Sequence, residues 1–73
     1  MFFWRVMLAD DVLSLPLGAR VSVSLPRMRG YEWYRVVRWG KGKAKRLQSL
    51  KNEGFYVTVR DYEGIRYTQK EEM

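Results

Sequence analysis

Alternation of apolar and polar side chains is the main pattern in this chain, and it predicts strands. The alternation is clearest where Val21, Val23 and Leu25 are separated by serines, as in a strand with one buried and one solvated face. Runs rich in aromatic and β-branched residues are typical of further strands. The predicted strands are residues 2–8, 20–25, 31–39, 55–60 and 65–68.

The strand predicted at residues 31–39 does not alternate cleanly. One of its faces would carry Tyr31, Trp33, Arg35, Val37 and Trp39. The other face would carry Glu32, Tyr34, Val36 and Arg38. Because both faces mix apolar with charged side chains, the pattern does not decide which of them is buried.

Residues 43–52 follow a different period, which predicts a helix. Ala44, Leu47 and Leu50 recur every three residues and form a narrow apolar stripe, as on a helix that packs on one side. Gly54 follows this segment, at a position where helices commonly end.

The remaining segments are predicted as connections. Residues 9–18 form a loop that includes one helical turn capped by Asp10 or Asp11, since short acidic side chains favour helix starts. Residues 61–64 form a hairpin turn, and residues 69–73 form a frayed end.

These elements predict one compact domain, residues 1–73, with the order β-β-β-α-β-β. We expect an α+β fold with a five-stranded, mostly antiparallel sheet and the helix on one face. Residues 31–60 would then form a right-handed strand–helix–strand crossover. A small barrel like that of oligonucleotide-binding proteins has the same element order. The narrow apolar stripe of the helix favours the open sheet.

Residue types that the chain lacks exclude several classes of function. It has no cysteine and no histidine, so disulfides, zinc fingers and most general-base or nucleophile arrangements cannot be built. The acidic pairs are better explained as a helix cap (Asp10 and Asp11) and a turn (Asp61 and Glu63) than as metal ligands or catalytic acids. We therefore predict no enzymatic activity, no metal and no cofactor.

The hydropathy pattern favours a cytoplasmic protein. No apolar stretch reaches the roughly 18 residues that a membrane span needs. Residues 1–9 are apolar, but Arg5 interrupts them and no basic segment precedes them, so they do not resemble a signal peptide.

Positive charge is concentrated in one third of the chain. The net charge is +6, yet residues 27–51 alone carry nine basic residues and one acidic residue, Glu32, for a local charge of +8. The rest of the chain carries five basic and seven acidic residues, for a charge of −2. Such segregation creates a field over one surface and is typical of a phosphate-binding face.

Two features within this segment indicate where a nucleic acid would bind. Residues 40–43 (Gly-Lys-Gly-Lys) open the predicted helix without an oxygen-bearing cap, and a backbone phosphate there would accept the free N–H groups and neutralise the lysines. The alternative is that the two glycines only turn the chain between strand and helix. Four aromatic residues, Tyr31, Trp33, Tyr34 and Trp39, lie among arginines.

A chain this small needs large side chains in its core, so we expect most of these four rings to be buried. Tyr34 is the best candidate for an exposed ring that stacks on bases, and Tyr56 is placed similarly on the next strand. The predicted nucleic-acid-binding residues are Arg27, Arg29, Tyr34, Arg35, Arg38, Lys41, Lys43, Lys45, Arg46, Lys51, Tyr56 and Arg60.

The sequence thus predicts a small basic protein that binds DNA or RNA, in an architectural or regulatory role. Binding would be largely directed to the phosphate backbone, with some base stacking. The alternative is a protein-interaction module that docks on an acidic partner, such as a small viral or plasmid-encoded adaptor or inhibitor. The strand at residues 2–8 could also pair with a second copy of the chain to form a homodimer.

Overall fold

The computed structural model of the protein describes residues 2–27, 29–61 and 64–72. Within these residues lie six strands and one short helix. In chain order they are β1 (Phe2–Met7), α1 (Ala9–Leu13), β2 (Arg20–Ser24), β3 (Glu32–Arg38), β4 (Lys45–Ser49), β5 (Tyr56–Thr58) and β6 (Arg66–Glu72).

The six strands form one open sheet in the order β1-β6-β2-β3-β4-β5. All neighbouring pairs are antiparallel, so β2 to β5 form a meander and β6 returns between β1 and β2. The broad prediction of a mostly antiparallel sheet with one helix is confirmed. The predicted strand count, strand order and position of the helix are wrong, and the open edges at β1 and β5 exclude a closed barrel of these strands.

The helix predicted at residues 43–52 is instead strand β4. A hairpin turn precedes it, in which the Trp39 N–H donates to the Ala44 carbonyl at 2.9 Å. Gly40 and Gly42 have φ angles of 72° and 95° in this turn, a region that side chains with a Cβ rarely adopt. The three-residue spacing of apolar side chains was coincidental, because Leu47 alone among them is fully buried. The predicted crossover is therefore absent.

The C-terminal segment also differs from the prediction. β6 extends to Glu72 and pairs with β1 along its length, from Met7 opposite Tyr67 to Phe2 opposite Glu72. Residues 69–72, predicted as a frayed end, instead belong to β6 and pair with β1, which satisfies the backbone groups on that side of the strand. Met73 lies outside the described residues, as do Tyr62 and Glu63 of the turn predicted at residues 61–64.

The helical turn predicted within residues 9–18 is confirmed as α1. The Leu8 N–H donates to Asp11 Oδ2 at 3.1 Å, so Asp11 satisfies an N–H group at the start of the helix, as predicted. Asp61, in the segment after β5, supplies a second acceptor, and its Oδ1 lies 2.9 Å from the Ala9 nitrogen. Within the described residues, no helix has the length and apolar character that crossing a bilayer requires.

The core lies on one face of the sheet, which we call the inner face. α1 packs on this face through Ala9 and Val12. The buried apolar cluster consists of Met7, Ala9, Val12, Val21, Val23, Tyr34, Val36, Leu47, Val59 and Tyr67. Because side chains alternate along a strand, the positions between these residues project from the opposite face.

Candidate functional site

We call the second face of the sheet the outer face. Its strand positions follow from the pairing registers, in which Ser22 lies between Trp33 and Thr68 and Arg46 lies between Val37 and Thr58. The outer face consists of Trp4, Val6, Arg20, Ser22, Ser24, Trp33, Arg35, Val37, Arg46, Gln48, Tyr56, Thr58, Arg66, Thr68 and Lys70, with Tyr31 and Trp39 continuing the alternation at the two ends of β3.

This face combines exposed aromatic rings with positive charge. Its exposed rings are Trp4 (55%), Tyr31 (48%), Trp33 (40%), Trp39 (39%) and Tyr56 (37%). Its cations are Arg20, Arg35, Arg46, Arg66 and Lys70. None of the strand side chains described on this face is a carboxylate, so among these positions the charge has one sign.

One aromatic cluster lies on the β3–β5 side of the outer face. The guanidinium carbon of Arg46 is 4.1 Å from the centroid of the Trp39 ring, which is cation–π geometry. The Trp39 and Tyr56 rings are 4.9 Å apart between centroids. Trp39 directly follows β3, while Arg46 lies in β4 and Tyr56 in β5. The three side chains share one face and form a continuous platform of one guanidinium and two rings, whose planes are inclined at 57°.

A hydrogen-bond chain positions Arg35 at the centre of the outer face. Its Nε donates to Gln48 Oε1 at 2.8 Å. The amide nitrogen of Gln48 donates to the Glu53 carbonyl at 2.8 Å and to Tyr56 Oη at 3.3 Å. Because the amide is held by these acceptors, it orients the Arg35 side chain and links it to Tyr56 of the platform.

A second aromatic cluster lies across the other strands. The Trp4 and Trp33 rings are 5.7 Å apart between centroids, although β6 and β2 separate their strands. The two rings therefore lean toward each other over the side chains between them. This explains why Ser22 and Thr68 are only 4% and 8% exposed on a face that is otherwise open.

The structure corrects the prediction about which aromatic residues are exposed. Tyr34, the best predicted stacking residue, is 1% exposed and lies on the inner face beside Val21. Burial raises the pKa of the Tyr34 phenol above its usual value, and the nearby Glu32 carboxylate raises it further. Tyr31, Trp33 and Trp39, which were expected mostly in the core, are the exposed rings.

Several predicted cations lie away from the outer face. Arg38, Lys43 and Lys45 line a hollow with Leu13 and Leu17 on the side where α1 lies. Lys45 is held there, because its Nζ donates to the carbonyl oxygens at the C-terminal end of α1. The cations that are contiguous in sequence thus divide between two sides of the molecule.

The other predicted cations lie at turns or next to strand ends. Lys41 is exposed in the β3–β4 turn, while Arg27 and Arg29 are exposed in the β2–β3 turn. Lys51 Nζ lies 3.9 Å from Glu32 Oε1, and Arg60 is exposed after β5. The phosphate site predicted at residues 40–43 is wrong in its physical basis, because no helix begins there.

Sequence reasoning selected as binding residues three of the ten outer-face residues that carry the exposed rings and the cations, and did not select the other seven. They are Trp4, Arg20, Tyr31, Trp33, Trp39, Arg66 and Lys70. One signal could have found part of this set, because the clean alternation of β2 shows that its valines point inward. Which β3 residues lie beside Ser22 depends on strand register, which the alternation does not reveal.

The outer face brings planar rings and cations together, a combination whose chemistry suits planar rings and anions. Among residues 2–27, 29–61 and 64–72, no three His, Cys, Asp or Glu side chains come together as a metal site would require. Comparison with known proteins found no matching family model, no matching curated protein and no matching solved structure. The site is therefore interpreted from its own residues.

Proposed function

We propose that this protein binds nucleic acid through the outer face of its sheet. The proposal depends on one observation: the outer face carries five exposed aromatic rings and five cations. None of the strand side chains described on this face is a carboxylate. Aromatic side chains stack on bases, and arginines pair with phosphates. No other described surface of the protein combines these two features to this extent.

The exposed rings favour a single strand over a duplex. Bases in a duplex are already stacked on both sides and present only their edges in the grooves. An open sheet with rings on it instead suits splayed, unpaired bases, as in sheet-type RNA-binding modules. The arginine–tryptophan–tyrosine platform (Arg46, Trp39 and Tyr56) would stack on bases, while Arg35 at the centre of the face would pair with phosphate.

Salt dependence provides the first test. Each phosphate neutralised on a single strand contributes about −0.7 to the slope of log K against log salt. The five outer-face cations predict a slope of roughly −3.5 for a fluorescent 20-nucleotide single strand. Absence of binding at about 50 mM salt, or a slope near zero, would contradict the proposal.

Two matched double variants identify the binding face. Arg35→Gln with Arg46→Gln removes two charges from the outer face, and Lys41→Gln with Lys43→Gln removes two charges from the β3–β4 turn. We expect the outer-face variant to lose tenfold or more in affinity and to flatten the slope by about 1.4. The turn variant should retain most of the affinity. Equal losses of affinity in the two variants would show that binding depends on net charge alone, and would contradict the assignment of the binding site to the outer face.

The edge strand β1 supports a second candidate function, a protein–protein contact. Among the described strands, β1 pairs with β6 alone, and its other edge offers backbone groups to an incoming strand. Val6 and the adjoining Leu8 are 75% and 64% exposed. A second copy or an acidic partner could add a strand there. Size-exclusion chromatography with light scattering tests the homodimer, and a partner retained after nuclease treatment would favour the acidic protein.

A further inference from the structure

A cleft of about 430 Å³ opens on the outer face. Trp4 and Tyr31 form its walls, and Ser22 and Thr68 form its floor. Its volume falls at the small end of the range for small-molecule pockets, roughly 300–1,000 Å³. The cleft is therefore suited to one small group, and it differs from the platform around Trp39, where the two ring planes are inclined at 57°.

The two kinds of lining residue indicate the chemistry of the occupant. The walls are aromatic, and the Trp4 and Tyr31 side chains keep about half of their surface exposed, at 55% and 48%. The floor is made of two hydroxyl side chains that carry no charge. A flat, neutral, aromatic group matches this combination, because its faces contact the rings and the floor beneath it carries no charge.

Charge at the rim indicates what this group is attached to. On β6, the outer-face residues that flank Thr68 are Arg66 and Lys70, both exposed. Lys70 lies directly opposite Trp4, and Arg66 lies opposite Ser24. Cations on both sides of a neutral cleft suit a flat ring whose attached phosphates lie outside the cleft.

We propose that this cleft accommodates one unpaired nucleobase of a single-stranded nucleic acid. The proposal rests on the proposed function and adds a defined pocket to it. A paired base cannot enter, because its edges are occupied by its partner and its faces by its neighbours. The cleft thus provides selection for single strands that the cations alone would not give.

The hydroxyl floor determines how selective the pocket is. The Thr68 hydroxyl already donates to the Ser22 carbonyl at 3.4 Å, so it offers a ligand only its acceptor lone pairs, whereas the Ser22 hydroxyl can rotate to donate or accept. Discrimination between bases relies on fixed bidentate pairs such as arginine with guanine or asparagine with adenine. Ser22 and Thr68 offer no such pair, so the pocket accepts different bases with modest preference.

The test compares a strand that has bases with one that lacks them. The probes are fluorescein-labelled 20-mer oligothymidylate and a 20-unit abasic phosphodiester of the same charge. We expect the protein to bind oligothymidylate more tightly. Trp4→Leu with Tyr31→Leu should weaken oligothymidylate binding roughly 10- to 100-fold, the range for lost base stacking, and leave abasic binding unchanged.

Matched controls come from the opposite side of the sheet. Phe3 and Phe55 are also exposed aromatic residues, at 41% and 43%, and both lie off the outer face. Phe3→Leu with Phe55→Leu should keep the preference for oligothymidylate. A loss equal to that of the cleft variant would overturn the pocket assignment.

The remaining outcomes separate the pocket from the function. If the cleft variant binds oligothymidylate as tightly as the parent, the pocket is wrong while nucleic-acid binding stands. If the parent binds neither strand, the proposed function itself fails. Tyr31→Leu alone, at an exposed position outside the strands, provides the same comparison if the double variant does not fold; it should weaken oligothymidylate binding severalfold.

Discussion

Two tyrosines lie in the core, and the buried hydroxyl of one of them makes hydrogen bonds to the backbone. Tyr34 and Tyr67 are each 1% exposed. The Tyr67 hydroxyl donates to the Arg60 carbonyl at 2.9 Å and accepts from the Arg60 N–H at 3.1 Å. It therefore satisfies two backbone groups of an irregular segment and joins that segment to β6. Large rings of this kind supply core volume that a small chain obtains from few residues.

Tyr34 predicts a pH dependence of stability. Its pKa is raised in the folded protein, first by burial and then by Glu32, above the value of about 10 in the unfolded chain. Its contribution is fully present below about pH 10 and is lost as the pH rises through the folded pKa. Tyr34→Phe should therefore show a smaller decline in unfolding free energy between about pH 8 and pH 11 than the parent.

Urea unfolding followed by circular dichroism at several pH values measures this effect. Tyr31→Phe, at an exposed position, serves as the control and should decline as the parent does. A Tyr34→Phe variant with the full parental decline would contradict the assignment.

At the scale of elements, α1 depends on contacts from distant strands. Helices of a single turn are unstable alone, and α1 has 5 residues. Asp61 accepts from its first N–H group, and Lys45 donates to carbonyls at its other end. Both partners are far away in sequence, so the helix forms only when the sheet has formed.

Lys45→Met tests this dependence. It removes hydrogen bonds of 2.9 and 2.8 Å from Nζ to the carbonyls of Leu13 and Leu15. Bonds to a charged group contribute roughly 1.5–3 kcal/mol, and partial exposure lowers this to about 1–2 kcal/mol. The midpoint of chemical unfolding measures the loss. Lys43→Met, at an exposed neighbouring position, should leave the midpoint almost unchanged, and an equal shift would refute the capping role.

The connection into β6 depends on a glycine. Gly64 has a φ angle of 90°, and a Cβ built there would lie 3.0 Å from the Cβ of Pro26. Gly64→Ala should cost about 1–2 kcal/mol for the backbone conformation, with the close contact adding to it. Gly54 meets neither constraint, since the nearest atom to its Cβ is Asn52 Oδ1 at 3.7 Å. Gly54→Ala is therefore the matched control, and thermal unfolding should separate the two variants clearly.

At the scale of the whole molecule, a thin one-sided core limits stability. A chain of 73 residues is expected to have a free energy of unfolding of roughly 4–11 kcal/mol. Leu47 is fully buried, between Val36 and Val57 of the neighbouring strands. Leu47→Ala should cost about 2–5 kcal/mol, which is a large fraction of this stability.

Val6→Ala is the matched control for this prediction. Val6 is 75% exposed on the outer face, so its truncation should change the unfolding free energy by less than about 1 kcal/mol. Circular dichroism during heating measures both variants. Similar losses would show that the outer face is covered by a partner in solution.

The sequence predicted the types of side chain in the candidate site, but not which residues come together there. The excess of arginine, lysine and aromatic residues correctly indicated which side-chain types are available. Of the predicted binding residues, Arg35, Arg46 and Tyr56 lie together on the outer face, while Tyr34 is buried. Strand alternation places Arg38 and Lys45 on the other side, and the remaining predicted cations lie in turns or after strand ends.

The sequence by itself determined the local periods, the charge and the residue types, and hence the strands β1, β2 and β3 and the absence of cysteine and histidine chemistry. Tertiary structure decided three things: which face of β3 is buried, that residues 45–49 pair as a strand, and that β1 lies against β6. The physical reason is twofold. Alternation every two residues does not tell which of the two faces is buried, and the apolar spacing of a short segment can fit either a helix or a strand. Only pairing with distant strands selects between these alternatives.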